Sequence, residues 1–408
     1  MKNKRPEIRF SQFVDDWEEY KLGEHSEIKT GGTPNTGISD FWFPKEIPWM
    51  SSGEVHKKRL THTDNQISKK GLENSSARWV KEKSILIALA GQGKTRGTVA
   101  INEIPLTTNQ SIAAIEVDSS LDSEFVFQNL ESRYEELRMI SSGDGSRGGL
   151  NKQLVADINL IAPSIKEQGN IGVFFKQLDS LISLHQSEHA KFVNIKKAMI
   201  QKMFPQNGEC VPQIRFRGFT DNWELHKLGD KVEFYSGLTY SPDNIVESGT
   251  LVLRSSNVRN GEIVAADNVY VNPEFVNSQN VEIGDVIVVV RNGSRNLIGK
   301  HACVKKNMDN TVIGAFMTGI RSEVPSFTNA LLDSDQFNVE INKNLGATIN
   351  QITTGEFKKM IFSFPSQVEQ EKIGVFFEKI DNIIALHTEQ LNKLQQIKKS
   401  MLKKMFII

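Results

Sequence analysis

The chain has 408 residues and a formal net charge of zero, with 49 Lys or Arg against 49 Asp or Glu. Its length is enough for two or three domains, and its 38% hydrophobic and 24% charged residues are typical of globular proteins. The absence of a run of about eighteen apolar residues excludes a membrane-spanning helix, and only two cysteines, Cys210 and Cys303, indicate a reducing compartment, so we expect a cytoplasmic protein.

Both halves of the chain open with the same block of residues. The first copy runs from Pro6 to Gly23 and the second, 206 positions later, from Pro212 to Gly229. Each copy reads Pro-x-Ile-Arg-Phe, followed at fixed distances by Phe, Trp-Glu and Lys-Leu-Gly. A repeat over this distance indicates a chain built from two similar units.

The block that follows each opening differs between the halves and is predicted to be mixed α/β. Short apolar runs next to glycine or charged residues predict strands, and two amphipathic stretches predict helices. The glycine-rich stretch 141–149 predicts an exposed loop. The predicted strands are Ser84–Leu89, Asn159–Ala162 and Val281–Val290, and the predicted helices are Glu124–Arg138 and Ser326–Asn344.

A longer repeat closes each half of the chain. Pro163–Phe204 matches Pro365–Phe406 at an offset of 202 without a gap, and about half of the aligned residues are identical. Apolar residues recur there at alternating steps of three and four, which predicts two helices with a coiled-coil seam, each roughly 57 Å long. We expect them to pair antiparallel; the alternative is that each apolar stripe packs on its own domain.

Two histidines occupy matching positions of the predicted seams. Because neither His185 nor His387 has a Cys or a second His at ligand spacing on its face, we interpret them as polar residues that fix the helix register, not as metal ligands. The seams contain Ile171, Phe174, Leu178, Leu181, His185, Phe192, Ile195, Met199 and Met203, and then Ile373, Phe377, Ile380, Ile384, His387, Leu391, Leu394, Ile397, Met401 and Met405.

No stretch of the sequence forms a convincing catalytic or cofactor motif. Ala88–Thr95 ends in Gly-Lys-Thr like a phosphate-binding loop, but it has Ala88 where the first glycine is required, and Arg96–Ile101 predicts a strand where a helix is needed. Asp243 and Glu356-Phe-Lys358 could suggest a nuclease, yet they lie more than a hundred positions apart. We therefore expect a protein without catalytic residues, metal or cofactor of its own.

Long polar side chains beside strands and glycines predict loops that contact phosphates and base edges. The neutral net charge counts against DNA binding, since duplex-binding proteins are usually basic, but the charge is uneven. Residues 45–100 contain eleven Lys or Arg against five Asp or Glu, and residues 251–306 contain seven against five. The candidate DNA-contacting residues are Lys57, Lys58, Arg59, Gln92, Lys94, Arg96, Asn109, Gln110, Arg147, Lys152, Arg254, Asn257, Arg259, Arg291, Asn292, Arg295, Asn296, Lys300 and Gln351.

These motifs resemble those of one family, the specificity (S) subunits of type I restriction-modification systems. The resemblance covers nearly the whole chain. It rests on Trp-Glu…Lys-Leu-Gly at Trp17 and Trp223, and on Pro-Ser-x-x-Glu-Gln…Ile-Gly-Val-Phe-Phe at Pro163 and Pro365. The second half departs at Asn310-Thr-Val-Ile-Gly314, where the Asn109-Gln110 pair of the first half has no counterpart.

The resemblance implies two target recognition domains that each read one half of a split DNA sequence, with two helices as spacer. It also implies docking of two methyltransferase subunits, joined by restriction subunits, and these partners would carry S-adenosylmethionine, ATP and Mg. The corresponding ranges are 1–163 for recognition domain 1, 164–205 for helix 1, 206–365 for recognition domain 2 and 366–408 for helix 2. The expected fold is mixed α/β with a pseudo-twofold internal repeat and an antiparallel coiled coil.

Two other functions stay open at this point. One is a self-contained DNA methyltransferase or nuclease with duplicated domains, which methyl transfer by the purified chain would support. The other is an interaction scaffold that never touches DNA. Salt-dependent binding of a duplex would separate the scaffold from a DNA reader, because phosphate contacts weaken as salt rises.

Overall fold

The structure is a computed structural model and describes residues 5–91, 95–140, 149–206, 209–345 and 350–407. The chain forms two compact units. Unit 1 comprises Met1–Gln186 and Glu389–Ile408, and unit 2 comprises Ser187–Thr388. Each unit therefore combines one variable block with parts of both long helices. The domain boundaries given above follow sequence blocks, not these units, and they stay a prediction.

Unit 1 contains eleven described strands and four short helices in addition to the long helices. Its strands are β1 (Glu18–Lys21), β2 (Ser26–Thr30), β3 (Ile47–Met50), β4 (Arg59–Leu60), β5 (Asn65–Ile67), β6 (Trp79–Val80), β7 (Ile85–Ala88), β8 (Val99–Asn102), β9 (Leu106–Thr108), β10 (Ile112–Val117) and β11 (Asn159–Ala162). Its helices are α1 (Lys69–Glu73), α2 (Ser123–Ser132), α3 (Tyr134–Ile140) and α4 (Lys152–Ala156), followed by the long helix α5 (Ile165–Met203).

The strands of unit 1 form three sheets. The largest has the order β2-β10-β7-β8-β4, a second has the order β5-β3-β9-β6, and β1 pairs with β11. Most neighbours are antiparallel, but β3 with β9 and β4 with β8 are parallel. Strands β7, β8 and β9 are buried along their whole length, as the continuous apolar runs of the sequence require.

Unit 2 has a similar plan, with twelve described strands in four sheets. Its sheets have the orders β13-β22-β19-β20 and β14-β18-β15-β21, with the two-stranded pairs β12-β23 and β16-β17. Its strands are β12 (Glu224–Lys227), β13 (Glu233–Ser236), β14 (Ile245–Val246), β15 (Thr250–Leu253), β16 (Val258–Arg259), β17 (Glu262–Ile263), β18 (Val269–Val271), β19 (Val286–Val289), β20 (His301–Cys303), β21 (Thr311–Ile313), β22 (Met317–Arg321) and β23 (Ile361–Phe364). Its helices are α6 (Pro325–Leu332), α7 (Asp335–Asn344) and α8 (Thr354–Lys359), followed by the long helix α9 (Gln367–Met405).

The long helices α5 and α9 pack antiparallel within each unit. In unit 2, the ring of Phe192 stacks on His387, and the ring of Phe204 lies 6.1 Å from that of Phe377. In unit 1, the ring of Phe175 stacks on that of Phe406, just beyond the end of α9. In both units, later residues of one helix thus meet earlier residues of the other, so the predicted antiparallel pairing is confirmed inside each unit.

The tryptophan of each opening block lies in an aromatic core. That core also contains the phenylalanine just beyond the end of a long helix. In unit 1, Trp17 packs edge-on against Phe125, which also contacts Phe406. In unit 2, Trp223 contacts both Phe327 and Phe204. The opening block and the Lys-Met-Phe end of the helix therefore recur together because they fill one core.

Arginine and glycine of the repeated motifs also have structural roles. Arg9 donates two hydrogen bonds to Glu167 at 2.7 and 2.8 Å, and Arg215 makes the same pair to Glu369 at 2.6 and 2.8 Å. Both carboxylates are buried, so each depends on its arginine to balance the negative charge. Gly172 of the Ile-Gly-Val-Phe-Phe motif lets α2 approach α5, since an added Cβ would lie 2.9 Å from atoms of the α2 start.

The fold class predicted from the sequence is confirmed, and three predicted elements need correction. The helix predicted over Glu124–Arg138 is two helices, α2 and α3, that meet at Arg133. The helix predicted over Ser326–Asn344 divides into α6 and α7 because the hydroxyl of Ser334 accepts the amide of Phe337 and starts a new helix. The strand predicted over Val281–Val290 is confined to β19, since Gly284 turns the chain with φ of 94°.

Candidate nucleic-acid interface

Four segments of unit 2 converge at the ends of its strands. The backbone N–H of Arg291 donates to the carbonyl of Phe316 at 3.2 Å, and Arg291 also forms a β-bridge with Gln351. The side-chain amide of Asn292 donates to Oγ of Ser255 at 3.0 Å. We call this group the loop cluster, and its segments are 254–257, 290–296, 314–316 and 350–351.

The loop cluster brings together residues that the sequence placed in separate motifs. Three of them are exposed and carry long polar side chains, which can reach phosphates or base edges. Two others are half-buried and are held by contacts inside the cluster. The exposed residues are Arg291, Arg295 and Asn296, with exposed Lys300 just beyond the cluster, and the half-buried ones are Asn292 and Gln351.

Two candidates of unit 2 have their polar groups used inside the protein. Asn257 is fully buried, and its amide donates to the carbonyls of Val264 and Ala266 at 3.1 and 2.8 Å, so its prediction as a DNA contact is wrong. The guanidinium of Arg254 donates to the carbonyl of Asp267. Arg259 is exposed in the small β16–β17 pair, outside the loop cluster.

Unit 1 builds an equivalent convergence of loops. The amide of Leu89 donates to the carbonyl of Ser111 at 2.8 Å, and the amide of Leu150 donates to the carbonyl of Leu89 at 3.2 Å. The amide of Asn109 donates to the carbonyl of Met50 at 3.0 Å. These bonds join the segments that follow β7 and β9 to the end of β3 and to the segment that precedes α4.

The same backbone pattern in unit 2 identifies equivalent residues. There the amide of Val290 donates to the carbonyl of Phe316 at 3.0 Å, and the amide of Ile352 donates to the carbonyl of Val290 at 2.9 Å. By these bonds Phe316 occupies the place of Ser111. The turn that carries Asn109 and Gln110 in unit 1 is thus kept in unit 2, with an aromatic residue in it.

The candidate residues of unit 1 are only partly described. Gln110 is exposed, and its Oε1 accepts a hydrogen bond from Oγ1 of Thr33 at 2.7 Å. Arg96 is half-buried before β8, and Lys152 is exposed at the start of α4. Three predicted contacts, Gln92, Lys94 and Arg147, lie outside the described residues.

The basic run Lys57-Lys58-Arg59 is held by carboxylates. Lys57 binds Glu54 and Asp64 at 2.9 and 2.7 Å. Lys58 binds Glu131 at 3.0 Å.

Arg59 is the most constrained of the three. Its guanidinium donates to Glu103 at 3.1 Å, to Glu124 at 2.9 Å and to Asp179 of α5 at 3.2 Å. Four-fifths of its side chain is shielded from solvent. Arg59 therefore joins the sheet to α2 and α5, and its prediction as a DNA contact is corrected to a structural role.

The two enzyme-like stretches also have structural explanations. After the Gly-Lys-Thr stretch the chain enters β8, which pairs antiparallel with β7, so no helix N-terminus follows to bind a phosphate. Glu356 caps α8: its carboxylate accepts the amide of Thr353 at 2.6 Å, and this hydrogen bond lowers the pKa of Glu356. Among the described residues no three His, Cys, Asp or Glu side chains cluster in a way that could hold a metal ion.

Phe316 is not among the residues predicted from the sequence, because that prediction rested on long polar side chains. Its ring is 53% exposed at the tip of the turn between β21 and β22. The guanidinium carbon of Arg291 lies 4.9 Å from the centre of this ring. Only the fold could reveal the pairing, because the two residues are 25 positions apart in the sequence.

A family model for the "Type I restriction modification DNA specificity domain" matches the chain twice, over residues 14–192 and 220–396. The chain belongs to this family. The family predicted from the repeated motifs is thereby confirmed, and each copy of the specificity domain covers one variable block and most of one long helix.

Known relatives agree with this assignment. The MjaVIII specificity subunit of a type I restriction enzyme from Methanocaldococcus jannaschii is 21% identical over 403 residues, which are 95% of this chain and 91% of the relative. The StySPI specificity subunit from Salmonella potsdam is 26% identical over 186 residues, or 43% of this chain and 39% of that protein. The crystal structure of a type I restriction-modification S subunit from M. genitalium shares the fold with a TM-score of 0.72 at 14% identity, covering 99% of both chains.

None of the helices in the described ranges combines the length and apolarity needed to cross a bilayer.

Proposed function

We propose that this specificity-domain protein is the DNA-reading subunit of a type I restriction-modification complex and binds a bipartite duplex target. Each unit reads one half-site through the loops at the ends of its strands. The observation that carries the proposal is the loop cluster of unit 2, which holds Arg291, Arg295 and Asn296 exposed on a hydrogen-bonded backbone frame. Arg and Asn are the side chains that pair most often with guanine and adenine edges.

The two units read different sequences in this proposal. The backbone frame is the same, since Leu89 and Val290 make equivalent hydrogen bonds, but the side chains on it differ. Where unit 1 has Gln110 and Ser111, unit 2 has Ala315 and Phe316. A shared frame with different side chains fits two half-sites that are unrelated in sequence.

Methyl transfer and DNA cleavage belong to partner subunits, two methyltransferase subunits and the restriction subunits, which carry S-adenosylmethionine, ATP and Mg. Each long helix exposes an equivalent apolar pair on which such a partner could pack. Val173 and Leu184 of α5 are both 56% exposed, and Val375 and Leu386 of α9 are 46% and 53% exposed. The two pairs are offset by 202 positions, which fits two identical partner subunits. We place the complex in the cytoplasm, where its DNA target lies.

Base-resolved mapping of DNA methylation in a host with and without this chain tests the proposal. We expect methylation at one bipartite motif to disappear when the chain is removed and to return when it is supplied again. Unchanged methylation would refute the function. Methyl transfer by the purified chain alone, with S-adenosylmethionine and DNA, would instead favour the self-contained methyltransferase.

Binding of a labelled duplex by the assembled complex separates a DNA reader from a scaffold. The affinity should fall steeply as salt rises, because each phosphate contact releases counterions. The zero net charge of the chain leads us to expect weaker binding by the chain alone than by the complex.

A further inference from the structure

We infer that Arg291 and Phe316 form a two-base reader in unit 2, in which Arg291 binds a guanine and Phe316 contacts the methyl group of a thymine within two base pairs of it. The inference rests on the proposed function and names the chemistry of one half-site.

The ring of Phe316 is held outward by its backbone. Its carbonyl accepts hydrogen bonds from the amides of Val290 and Arg291 at 3.0 and 3.2 Å, which fixes the turn between β21 and β22. The side chain takes no part in these bonds and is 53% exposed. Covering such an apolar surface with another apolar group is favourable. In the major groove that group is the thymine methyl.

Arg291 is oriented for a guanine by the same ring. Its guanidinium carbon lies 4.9 Å from the ring centre of Phe316, so the ring supports the flat group and leaves its N–H donors available in its plane. Within the described part of the chain, no carboxylate forms an ion pair with Arg291, whereas Arg321 is bound by Asp285 at 2.9 Å. An uncompensated planar donor of this kind matches the O6 and N7 acceptors of guanine.

The spacing of the two groups sets the spacing of the two bases. Base pairs rise by about 3.4 Å along each strand, and the 4.9 Å separation of guanidinium and ring lies between one rise and two. The half-site read by unit 2 should therefore contain a guanine with a thymine one or two base pairs away. The equivalent turn of unit 1 carries Gln110 and Ser111, which offer no apolar surface of this kind.

The test uses the complex assembled with its methyltransferase subunits and a duplex bearing the mapped target. Each thymine is replaced in turn by deoxyuridine, which lacks only the methyl group, and each guanine by 7-deazaguanine, which lacks N7. For the wild type we expect one thymine whose replacement weakens binding about fourfold, the value of one buried methyl group. We expect one guanine within two base pairs of it whose replacement weakens binding about tenfold.

Variants of the protein then assign these effects to the two residues. F316A should bind the natural duplex about fourfold more weakly and should no longer distinguish thymine from deoxyuridine at that position. R291A should lose its sensitivity to 7-deazaguanine and keep at least part of its sensitivity to deoxyuridine. Both variants should fold normally, because the bonds that hold the turn are made by backbone atoms.

Phe275 provides the matched control. It is 54% exposed in a 3₁₀ helix outside the loop cluster, so F275A should bind all duplexes as the wild type does. The inference is overturned if F316A weakens binding equally on thymine and deoxyuridine, or if R291A still distinguishes 7-deazaguanine. It is also overturned if no guanine and thymine of the mapped target lie within two base pairs. In each case salt-dependent binding of the target by the wild type would leave the proposed function intact.

Discussion

The ammonium nitrogen of Lys398 lies 2.6 Å from Oδ1 of Asp179, which joins the last part of α9 to the first part of α5 inside unit 1. The same nitrogen binds Oε2 of Glu131 at 2.6 Å. All three side chains are at most 16% exposed, so water reaches the two carboxylates poorly, and Lys398 shares the balance of their charge with Lys58 and Arg59.

Unit 2 repeats this arrangement with the helix roles exchanged. Lys196 of α5 binds Asp381 of α9 and Asp333, both at 2.6 Å. Each of the three residues is 202 positions from its counterpart in unit 1. Burial opposes the charge of each lysine, but the neighbouring carboxylates outweigh burial and raise the pKa of both Lys196 and Lys398.

Replacement of Lys398 by methionine should destabilise the protein strongly. The variant keeps the volume of the side chain but leaves Glu131 and Asp179 without their shared partner, at a cost of about 3 kcal/mol. Lys404→Met is the matched control, because Lys404 is 45% exposed and reaches Glu7 only at 4.0 Å. Denaturant unfolding measures both variants; equal stability of the two would contradict the role of Lys398.

Two glycines of one helix turn should respond in opposite ways to alanine. A Cβ at Gly172 would lie 2.9 Å from Asp122 and Glu124, so Gly172→Ala should destabilise unit 1 by about 1–3 kcal/mol. A Cβ at Gly169 meets nothing within 4 Å. Gly169→Ala should therefore stabilise the protein by roughly 0.5–1 kcal/mol, since alanine is the better helix former.

Thermal unfolding of the two glycine variants provides the measurement. The melting temperature should fall for Gly172→Ala and rise for Gly169→Ala. A rise for both would mean that α2 does not approach α5 as closely as the structure shows.

His301 should make the stability of unit 2 depend on pH. Burial of the ring opposes its protonation, but the hydrogen bond and charge of Asp333 at 3.4 Å outweigh burial and raise the pKa of His301 above 6.5. The other ring nitrogen lies 3.0 Å from the carbonyl of Gly299, so both ring nitrogens face acceptors. Only the protonated ring can donate a hydrogen bond to both acceptors at once.

The sign of the effect follows from the raised pKa. The contribution of His301 is fully present below pH 6.5 and is lost as pH rises through the higher pKa of the folded state. His301→Gln should thus be about 2 kcal/mol less stable than the wild type at low pH, with a smaller difference at high pH. Denaturant unfolding between pH 5 and pH 9 measures this, with the exposed His62→Gln as control; a difference that grows with pH would disprove it.

A heptad inserted into each long helix should change the gap between the half-sites. Seven residues lengthen a helix by roughly 10 Å, or about three base pairs. Insertions after Gln186 and Thr388, where the two units divide, should lengthen the tolerated gap and leave both half-site sequences unchanged. Base-resolved mapping of DNA methylation measures both the gap and the half-site sequences.

The same seven residues inserted at Asn307, in the exposed turn between β20 and β21, serve as control and should leave the gap as it is. Altered half-sites at an unchanged gap after the helix insertions would show that the helices do not set the spacing.

The sequence was sufficient for the family, the fold class and the long helices, because these depend on repeats and on periodic apolar residues. It could not assign single polar residues. Arg59 and Arg291 are both arginines beside strands, yet one is bound by Glu103, Glu124 and Asp179 and the other rests on Phe316. Which of these occurs depends on partners 25 to 120 positions away, and such partners are set by tertiary packing.

Helix ends were also difficult to predict, for a local reason. Asp333 and Ser334 fall inside a continuous amphipathic pattern, but the hydroxyl of Ser334 accepts the amide of Phe337 and ends one helix as it begins the next. A periodic pattern of apolar residues does not record such a cap.

The chain order of the two units has a consequence for biosynthesis. Unit 2 is one uninterrupted stretch, Ser187–Thr388, whereas unit 1 draws Met405 and Phe406 into its core from far along the chain. On the ribosome, the nascent unit 1 is therefore made first but lacks these residues until the final helix emerges from the exit tunnel. Translation order and the order of core completion are thus reversed, and any stall within α9 leaves the earlier-made unit open to proteolysis.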